Sequence, residues 1–293
     1  MGFLGEIIMK TAWTLRNRTF NWGERTYLMG ILNVTPDSFS DGGQFNTLDR
    51  ALDQAQYLIN SGADILDIGG QSTRPQATEI SVNEELERTI PVIQALRQET
   101  DIPISIDTTR SQVAQQAIAA GADIVNDISG ATYDPEMLSV VAQLGIPIIL
   151  MHIRGTPQTM QTLTDYQDLL GEILAWLQQR IAAAIAAGIN PAKIAIDPGI
   201  GFAKTYAQNL ELLRQTAAFQ RLGCPVLVGP SRKSFIGHIL DQPDPQQRVW
   251  GTAAACCAAI AGGADILRVH DVRAMYDVCR VADAIWRSQN TPG

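Results

Sequence analysis

The chain has 293 residues, 46% hydrophobic and 18% charged, enough apolar side chain to bury a sizeable core and too little charge for a disordered polypeptide. A net charge of −8 argues against nucleic-acid binding through overall charge. No stretch approaches eighteen uninterrupted apolar residues, and the opening MGFLGEIIMK lacks the basic start and long apolar core of a secretory signal, so no membrane span is expected and cytoplasm is the expected compartment.

Residues 1–10 read as a tail, and residues 11–25, TAWTLRNRTFNWGER, alternate loosely around Arg16 to Thr19 and predict a β-hairpin. Eight short runs rich in Ile, Val and Leu follow, at 26–33, 64–69, 103–107, 123–127, 146–151, 193–197, 225–229 and 265–269. Such runs suit strands covered by protein on both faces. Stretches of helical apolar period separate them, for example 48–60, 82–98, 166–187 and 245–261. One phrase recurs: SGADILDIGG from Ser61, AGADIVNDISG from Ala120 and GGADILRVHD from Gly262. Each sets a glycine suited to the left-handed turn that ends a helix just before a strand. The four cysteines, Cys224, Cys256, Cys257 and Cys279, form no Cys-x-x-Cys pair and read as buried thiols. Eight strands alternating with helices over residues 26–287 predict a single-domain α/β chain folded as a (β/α)8 TIM barrel. A doubly wound open sheet is the alternative, since periodicity alone does not separate the two. Residues 288–293 read as a second tail.

The strand tips carry the functional signal. Side chains alternate faces along a strand, and on five of the runs the last residue of one face is polar: Asn33, Asp107, Asn126, Asp197 and Arg268. Each alone could cap the following helix or form a structural pair. Five on one parity point to a ring at the C-terminal mouth, where barrel enzymes build their active sites. The loop GGQSTRP adds Thr73, Arg74 and Pro75; GPSRKSF adds Arg232 and Lys233, with Ser234 at or beside a helix N-terminus; RVHD adds His270. Convergence of Arg74, Arg232, Lys233, Arg268 and His270 would make a local anion site in an acidic protein. His152 has no such partner on its own run and reads as structural, and His238 as a surface residue.

The motifs MGILNVTPDSFSDGGQF, DIGGQSTRP, SIDT, VNDISG, LMHIRGTPQTMQ, DPGIGF, GPSRKSF and LRVHD, in this order, resemble those of the dihydropteroate synthase family. The resemblance covers about residues 26–285. It implies a pterin-binding barrel that joins 6-hydroxymethyl-7,8-dihydropterin diphosphate to p-aminobenzoate in folate biosynthesis. Carried onto this sequence, it implies Asp107, Lys233 and Arg268 as catalytic residues. It implies a pterin site of Asp107, Asn126, Asp197, Lys233, Arg268 and Phe202. Asn33, Thr73, Arg74, Arg268 and His270 would hold diphosphate, and Phe39, Thr73, Pro75, Lys233 and Ser234 p-aminobenzoate. It also implies Mg²⁺ at Asn33 and Asp41, and a homodimer through the later helices. The loop after Asn33 would act as a lid, with Phe39 against the aryl amine. A methyltetrahydrofolate-using methyltransferase and a non-catalytic pterin- or phosphate-binding barrel are the alternatives. The first has no diphosphate to hold, and the second would not need a lid.

Overall fold

The hairpin ahead of the barrel is formed by β1 (Trp13–Leu15) and β2 (Arg18–Phe20), paired antiparallel, with Arg16 at φ 54° in the turn. The computed structural model describes residues 10–35, 44–73 and 77–287. Strands and helices then alternate: β3 (Tyr27–Asn33), α1 (Gln44–Asn60), β4 (Ile65–Gly69), α2 (Val82–Glu99), β5 (Ile104–Asp107), α3 (Ser111–Ala120) and β6 (Ile124–Asp127). The second half continues with α4 (Met137–Leu144), β7 (Ile148–Met151), α5 (Leu169–Ala186), β8 (Ile194–Asp197), α6 (Tyr206–Arg214) and β9 (Leu227–Val228). It ends with α7 (Ser234–Ile239), α8 (Val249–Ala261), β10 (Ile266–Val269) and α9 (Val272–Trp286).

The eight strands β3 to β10 are parallel, in the order β8-β7-β6-β5-β4-β3-β10-β9. A parallel bridge between Ile196 and Val226 joins the two ends of that order, so the sheet closes into a barrel and the open-sheet alternative falls away. Seven of the expected strands end at the residue anticipated; β9 is shorter than 225–229. Pro225 supplies no N–H to a ladder, and Pro230 follows directly after Gly229, which confines the ladder with β10 to Leu227 and Val228. The helix expected over 245–261 starts with a 3₁₀ turn at Pro245–Arg248, where Pro245 occupies an N-terminal position, and becomes α-helical at Val249. Cys224, Cys256 and Cys279 are buried free thiols, whereas Cys257 is only half-buried.

Strand parity sorts the side chains into two cores. Leu66, Ile68, Ile104, Ile106, Val125, Leu150, Ile196 and Leu267 face outward into the helical layer. Met29, Ile65, Ile124, Ile149, Ala195, Leu227 and Ile266 fill the barrel interior, and Trp13, Phe20 and Tyr27 pack with them. Trp13 and Trp22 meet edge to face, with ring centroids 5.1 Å apart, so the hairpin closes the barrel at the N-terminal ends of the strands. Full burial of each aliphatic side chain contributes about 1.5–3 kcal/mol. The interior below the mouth is therefore mostly apolar, and the charged side chains lie above it toward the C-terminal ends.

The recurring glycines do end helices. Gly62 has φ +101° and its N–H bonds the Ile59 carbonyl at 3.0 Å. A Cβ there would also lie 2.3 Å from Cδ2 of Tyr276 on α9. Both the backbone and the packing exclude a side chain at this position. Gly62→Ala is therefore expected to lower stability by about 2–4 kcal/mol, combining left-handed strain with overpacking. Urea denaturation checks this, and a change below about 0.5 kcal/mol, as at an ordinary surface position, would show that neither constraint binds.

Candidate active site

Register brings the predicted residues to one end of the barrel. Asp107 on β5 pairs with Gly69 on one side and Asn126 on the other, Gly69 pairs with Asn33, and Met151 pairs with Asp197. Arg268 pairs with Met29, two layers deeper than Asn33, and its side chain extends across the barrel. Its Nε donates to Asp67 Oδ2 at 2.6 Å, and an NH2 hydrogen donates to Asp107 Oδ2 at 2.6 Å. Asn126 Nδ2 also donates to Asp67 Oδ2, at 3.2 Å. Asp67 was absent from the sequence reading and turns out to be the anchor. A Cβ on Gly69 would lie 3.6 Å from Asp107 Oδ2 and 3.7 Å from Asn33 Oδ1, so this glycine keeps the space between the two open.

Charge in this cluster is set by burial and by opposite partners. Burial works against the Arg268 cation, but Asp67 and Asp107 outweigh it and hold its pKa above the ordinary arginine value. Burial pushes the Asp107 carboxyl up to about 7, with Asp67 adding to the rise and Arg268 opposing it. Asp197 is raised to about 6, again mainly by burial; the Gly199 N–H, 2.7 Å from Oδ1, and Lys233, Lys204 and Arg268 restrain it.

Lys233 directly precedes α7 and is half-buried. Its Nζ lies 4.1 Å from the centroid of the Phe202 ring and forms no ion pair with a described residue. Burial and Arg268 lower its pKa to about 8, against the pull of Asp197 and Asp107. Phe202 is buried with Ile128, Met151 and Ile153 beside the mouth. A cleft of about 370 Å³ opens next to Asp107, lined among others by Thr73, Glu85, Thr108, Ile128 and Tyr133.

His270 follows β10, and its Nδ1 lies 2.9 Å from Ser231 Oγ, while its backbone N–H donates to that same oxygen at 3.1 Å. Both contacts to the one hydroxyl fix the orientation of the imidazole at the end of β10. Ser231 also went unread in the sequence.

One expectation needs correction. Arg232 does not join the convergent cations: it has φ +58°, and its guanidinium forms a bidentate pair with Asp271 at 2.9 and 2.6 Å. Its backbone turn sends the side chain away from that of Lys233. Ser234 is exposed as the first residue of the six-residue α7. His152 is buried and contacts Lys204, a second buried lysine that the sequence reading passed over. Phe39, Asp41, Arg74 and Pro75 lie outside the described residues.

Comparison with known proteins gives the cluster a context. The family of pterin binding enzymes matches residues 29–270. A dihydropteroate synthase of Synechocystis sp. is 67% identical over 268 residues, covering 92% of this chain and 93% of that protein. A solved dihydropteroate synthase of Xanthomonas albilineans with 4-aminobenzoic acid has a TM-score of 0.89 and 43% identity, covering 97% of this chain and 100% of that one. Another, from Clostridium difficile in the presence of pteroic acid, has a TM-score of 0.87 and 45% identity, covering 92% and 99% of the two chains.

The Arg268 cluster makes a stability prediction that needs no substrate. Arg268→Met leaves Asp67 and Asp107 buried without their cation and is expected to cost about 3–5 kcal/mol at pH 8. Loss of the cation raises the folded-state pKa of Asp107 further, while its unfolded value stays put. The folded variant therefore gains protons relative to the native protein as pH falls, and its deficit shrinks toward pH 5. Urea denaturation at both pH values tests this; a deficit independent of pH would mean that packing, not charge, is what Arg268 supplies.

Proposed function

The chain belongs to the dihydropteroate synthase family of pterin-binding enzymes, and from that premise we propose a division of labour among the residues of its barrel mouth. The reaction is group transfer: 6-hydroxymethyl-7,8-dihydropterin diphosphate and p-aminobenzoate give 7,8-dihydropteroate and diphosphate, a step of folate synthesis.

The pterin presents adjacent N–H donors at its amino-pyrimidinone edge. Asp197 is the acceptor suited to them, since one oxygen takes the Gly199 N–H and the other takes no hydrogen bond from a described residue. Lys233 donates to the ring oxygen and nitrogen. Asp107 and Asn126 meet the opposite edge, the Asn126 amide oxygen being left free to accept once Nδ2 is bonded to Asp67. The Arg268 guanidinium, held flat by two carboxylates, offers a face for stacking. Phe202 closes the side beneath Lys233. The observation that carries this reading is the pairing of a buried acceptor, Asp197, with an ammonium, Lys233, that no described carboxylate neutralises.

Asn33, Thr73, Arg74, Arg268 and His270 hold diphosphate. Phe39, Thr73, Pro75, Lys233 and Ser234 line the p-aminobenzoate side. The C–O bond to diphosphate breaks ahead of attack, and the aryl amine nitrogen then bonds the cationic methylene and releases a proton to water. The amine is neutral at pH 7, so no strong general base is required, and Asp107 is the negative group nearest the proposed cation.

Asn33 and Asp41 would hold Mg²⁺. Among the described residues no group of three His, Cys, Asp or Glu side chains could hold a metal alone. A single amide oxygen beside a diphosphate site fits an ion that keeps waters and takes phosphate oxygens. When bound, the ion supplies positive charge to the departing diphosphate. Cytoplasm is the proposed compartment, supported by four free thiols, and no helix among the described residues is long and apolar enough to cross a membrane. A homodimer through the later helices is supported by exposed Trp250 on α8 and by Val281, Ile285 and Trp286 on α9.

Mixing both substrates with MgCl₂ is expected to release diphosphate and equimolar dihydropteroate. Pterin binding without release would leave a binding protein instead. Lys233→Ala is expected to weaken pterin diphosphate by about 10–100-fold, the loss of a hydrogen bond to a charged group, with the fold intact; unchanged affinity in titration calorimetry refutes its role. Two of the shifted groups bound the pH profile of kcat/KM for the pterin substrate. Protonating Asp197 as pH falls through about 6 turns an acceptor into a donor, and deprotonating Lys233 as pH rises through about 8 removes the charge. A fall below about pH 6 and above about pH 8 is expected, and Lys233→Ala should lose the inflection near pH 8.

A further inference from the structure

Lys204 ends the loop 198–204 that connects β8 to α6, and it is 3% exposed. Its Nζ donates to the Phe202 carbonyl at 2.8 Å and lies 3.1 Å from His152 Nδ1. It forms no ion pair with a described residue. An ammonium buried without a carboxylate partner is costly, and folds seldom keep one idly. Burial lowers its pKa to about 7, with Asp197 opposing the fall and Lys233 and Arg154 adding to it. His152 is held down to about 2 by burial first and by Lys204 and Arg154 next, so the ring is neutral and Nδ1 is an acceptor.

These contacts form a closed circuit around the pterin side of the mouth. The His152 N–H donates to the Asp197 carbonyl at 2.9 Å, and the Gly199 N–H donates to Asp197 Oδ1 at 2.7 Å. A Cβ on Gly199 would lie 2.0 Å from the His152 carbonyl and 3.3 Å from Lys204 Nζ, so the loop is packed flat against the lysine. Beyond Lys204, Thr205 caps α6 with a reciprocal bond to Gln208, which fixes the far end of the loop. The same loop carries Phe202, whose ring lies under Lys233.

We propose that Lys204 is a positioning residue for the pterin: its ammonium, clamped between the Phe202 carbonyl and the His152 ring, fixes the loop that aims Asp197 and Phe202, and it keeps positive charge behind the Asp197 carboxylate. This rests on the pterin reading of Asp197 given above. The groups facing Lys204 are Asp197, Lys233, Arg154, His152 and Tyr166, whose hydroxyl donates to the Ala203 carbonyl at 3.0 Å. Arg268 and Lys233 also restrain Asp197 and remain when Lys204 is replaced.

The test is Lys204→Met, read by pterin affinity from ligand fluorescence and, separately, by steady-state kinetics. Expected are a KM for pterin diphosphate raised by about 10–100-fold, the scale of one lost charged hydrogen bond, and a p-aminobenzoate KM within about twofold. The acid limb should move to higher pH, because Asp197 loses one of its three restraining cations, and the Tm should not fall. An unchanged pterin affinity, or equal losses for both substrates with a lowered Tm, overturns the proposal. His152→Leu serves where Lys204→Met does not fold: it keeps the charge and removes the acceptor. Pterin KM should then rise with the acid limb unmoved, and an unchanged KM again overturns the proposal. Because pterin affinity is measured apart from turnover, a native protein that binds pterin but transfers nothing counts against the proposed reaction and leaves the Lys204 result readable.

Discussion

A single guanidinium ties three strands together across the barrel. Arg268 from β10 is bonded to Asp67 on β4 and Asp107 on β5, each at 2.6 Å, and Asn126 on β6 joins through Asp67. Two carboxylates and a cation in an enclosed place cost several kcal/mol per ion unless each is paired, and a well-packed apolar trio is often more stable. The arrangement is therefore poor evidence for stability and good evidence for use. It gives a flat plate of fixed orientation whose field reaches Asp197 and Lys233, the two groups placed to read a heterocycle edge.

What makes so polar a layer tolerable is the layer below it. The parity that aims Asp67, Asp107, Asn126 and Asp197 at the mouth aims Ile65, Ile124, Ile149 and Ala195 at the interior beneath. The hairpin then seals the far end with Trp13, Phe20 and Tyr27. Above this apolar filling, the charged layer is bonded sideways, strand to strand. That restriction holds its side chains in one geometry without substrate, which is how binding sites avoid paying ordering entropy on each encounter.

Much of this was legible from alternation alone, because a strand's last inward residue must face the mouth. Asn33, Asp107, Asn126, Asp197 and Arg268 were found that way. Asp67 was missed by the same rule: its strand ends at Gly69 on the same face, so its polar residue lies one layer deeper. Arg232 misled because adjacency to Lys233 says nothing about a residue at φ +58°, which turns toward Asp271. Lys204 and His152 are 52 positions apart, and only the packing of the β7 and β8 loops brings them together. Such a pair leaves no periodic trace. Phe39 and Asp41, expected in a lid, fall outside the described residues.

The distribution of charge across the mouth matches the proposed bond cleavage. Breaking the C–O bond leaves a cation on the pterin methylene and negative charge on diphosphate, and one uniform field cannot favour both. Here the floor and the rim differ. The floor holds one guanidinium against two carboxylates, and Asp107, with its pKa pushed up to about 7 by burial, sits where a small change of field decides its proton. A cation developing beside it favours the ionised form, so the floor becomes more negative as that cation appears. The rim holds Lys233, free of any described carboxylate partner, and His270, whose ring is oriented by Ser231. Charge separates toward groups already fixed in place, and little reorganisation is needed as the bond breaks.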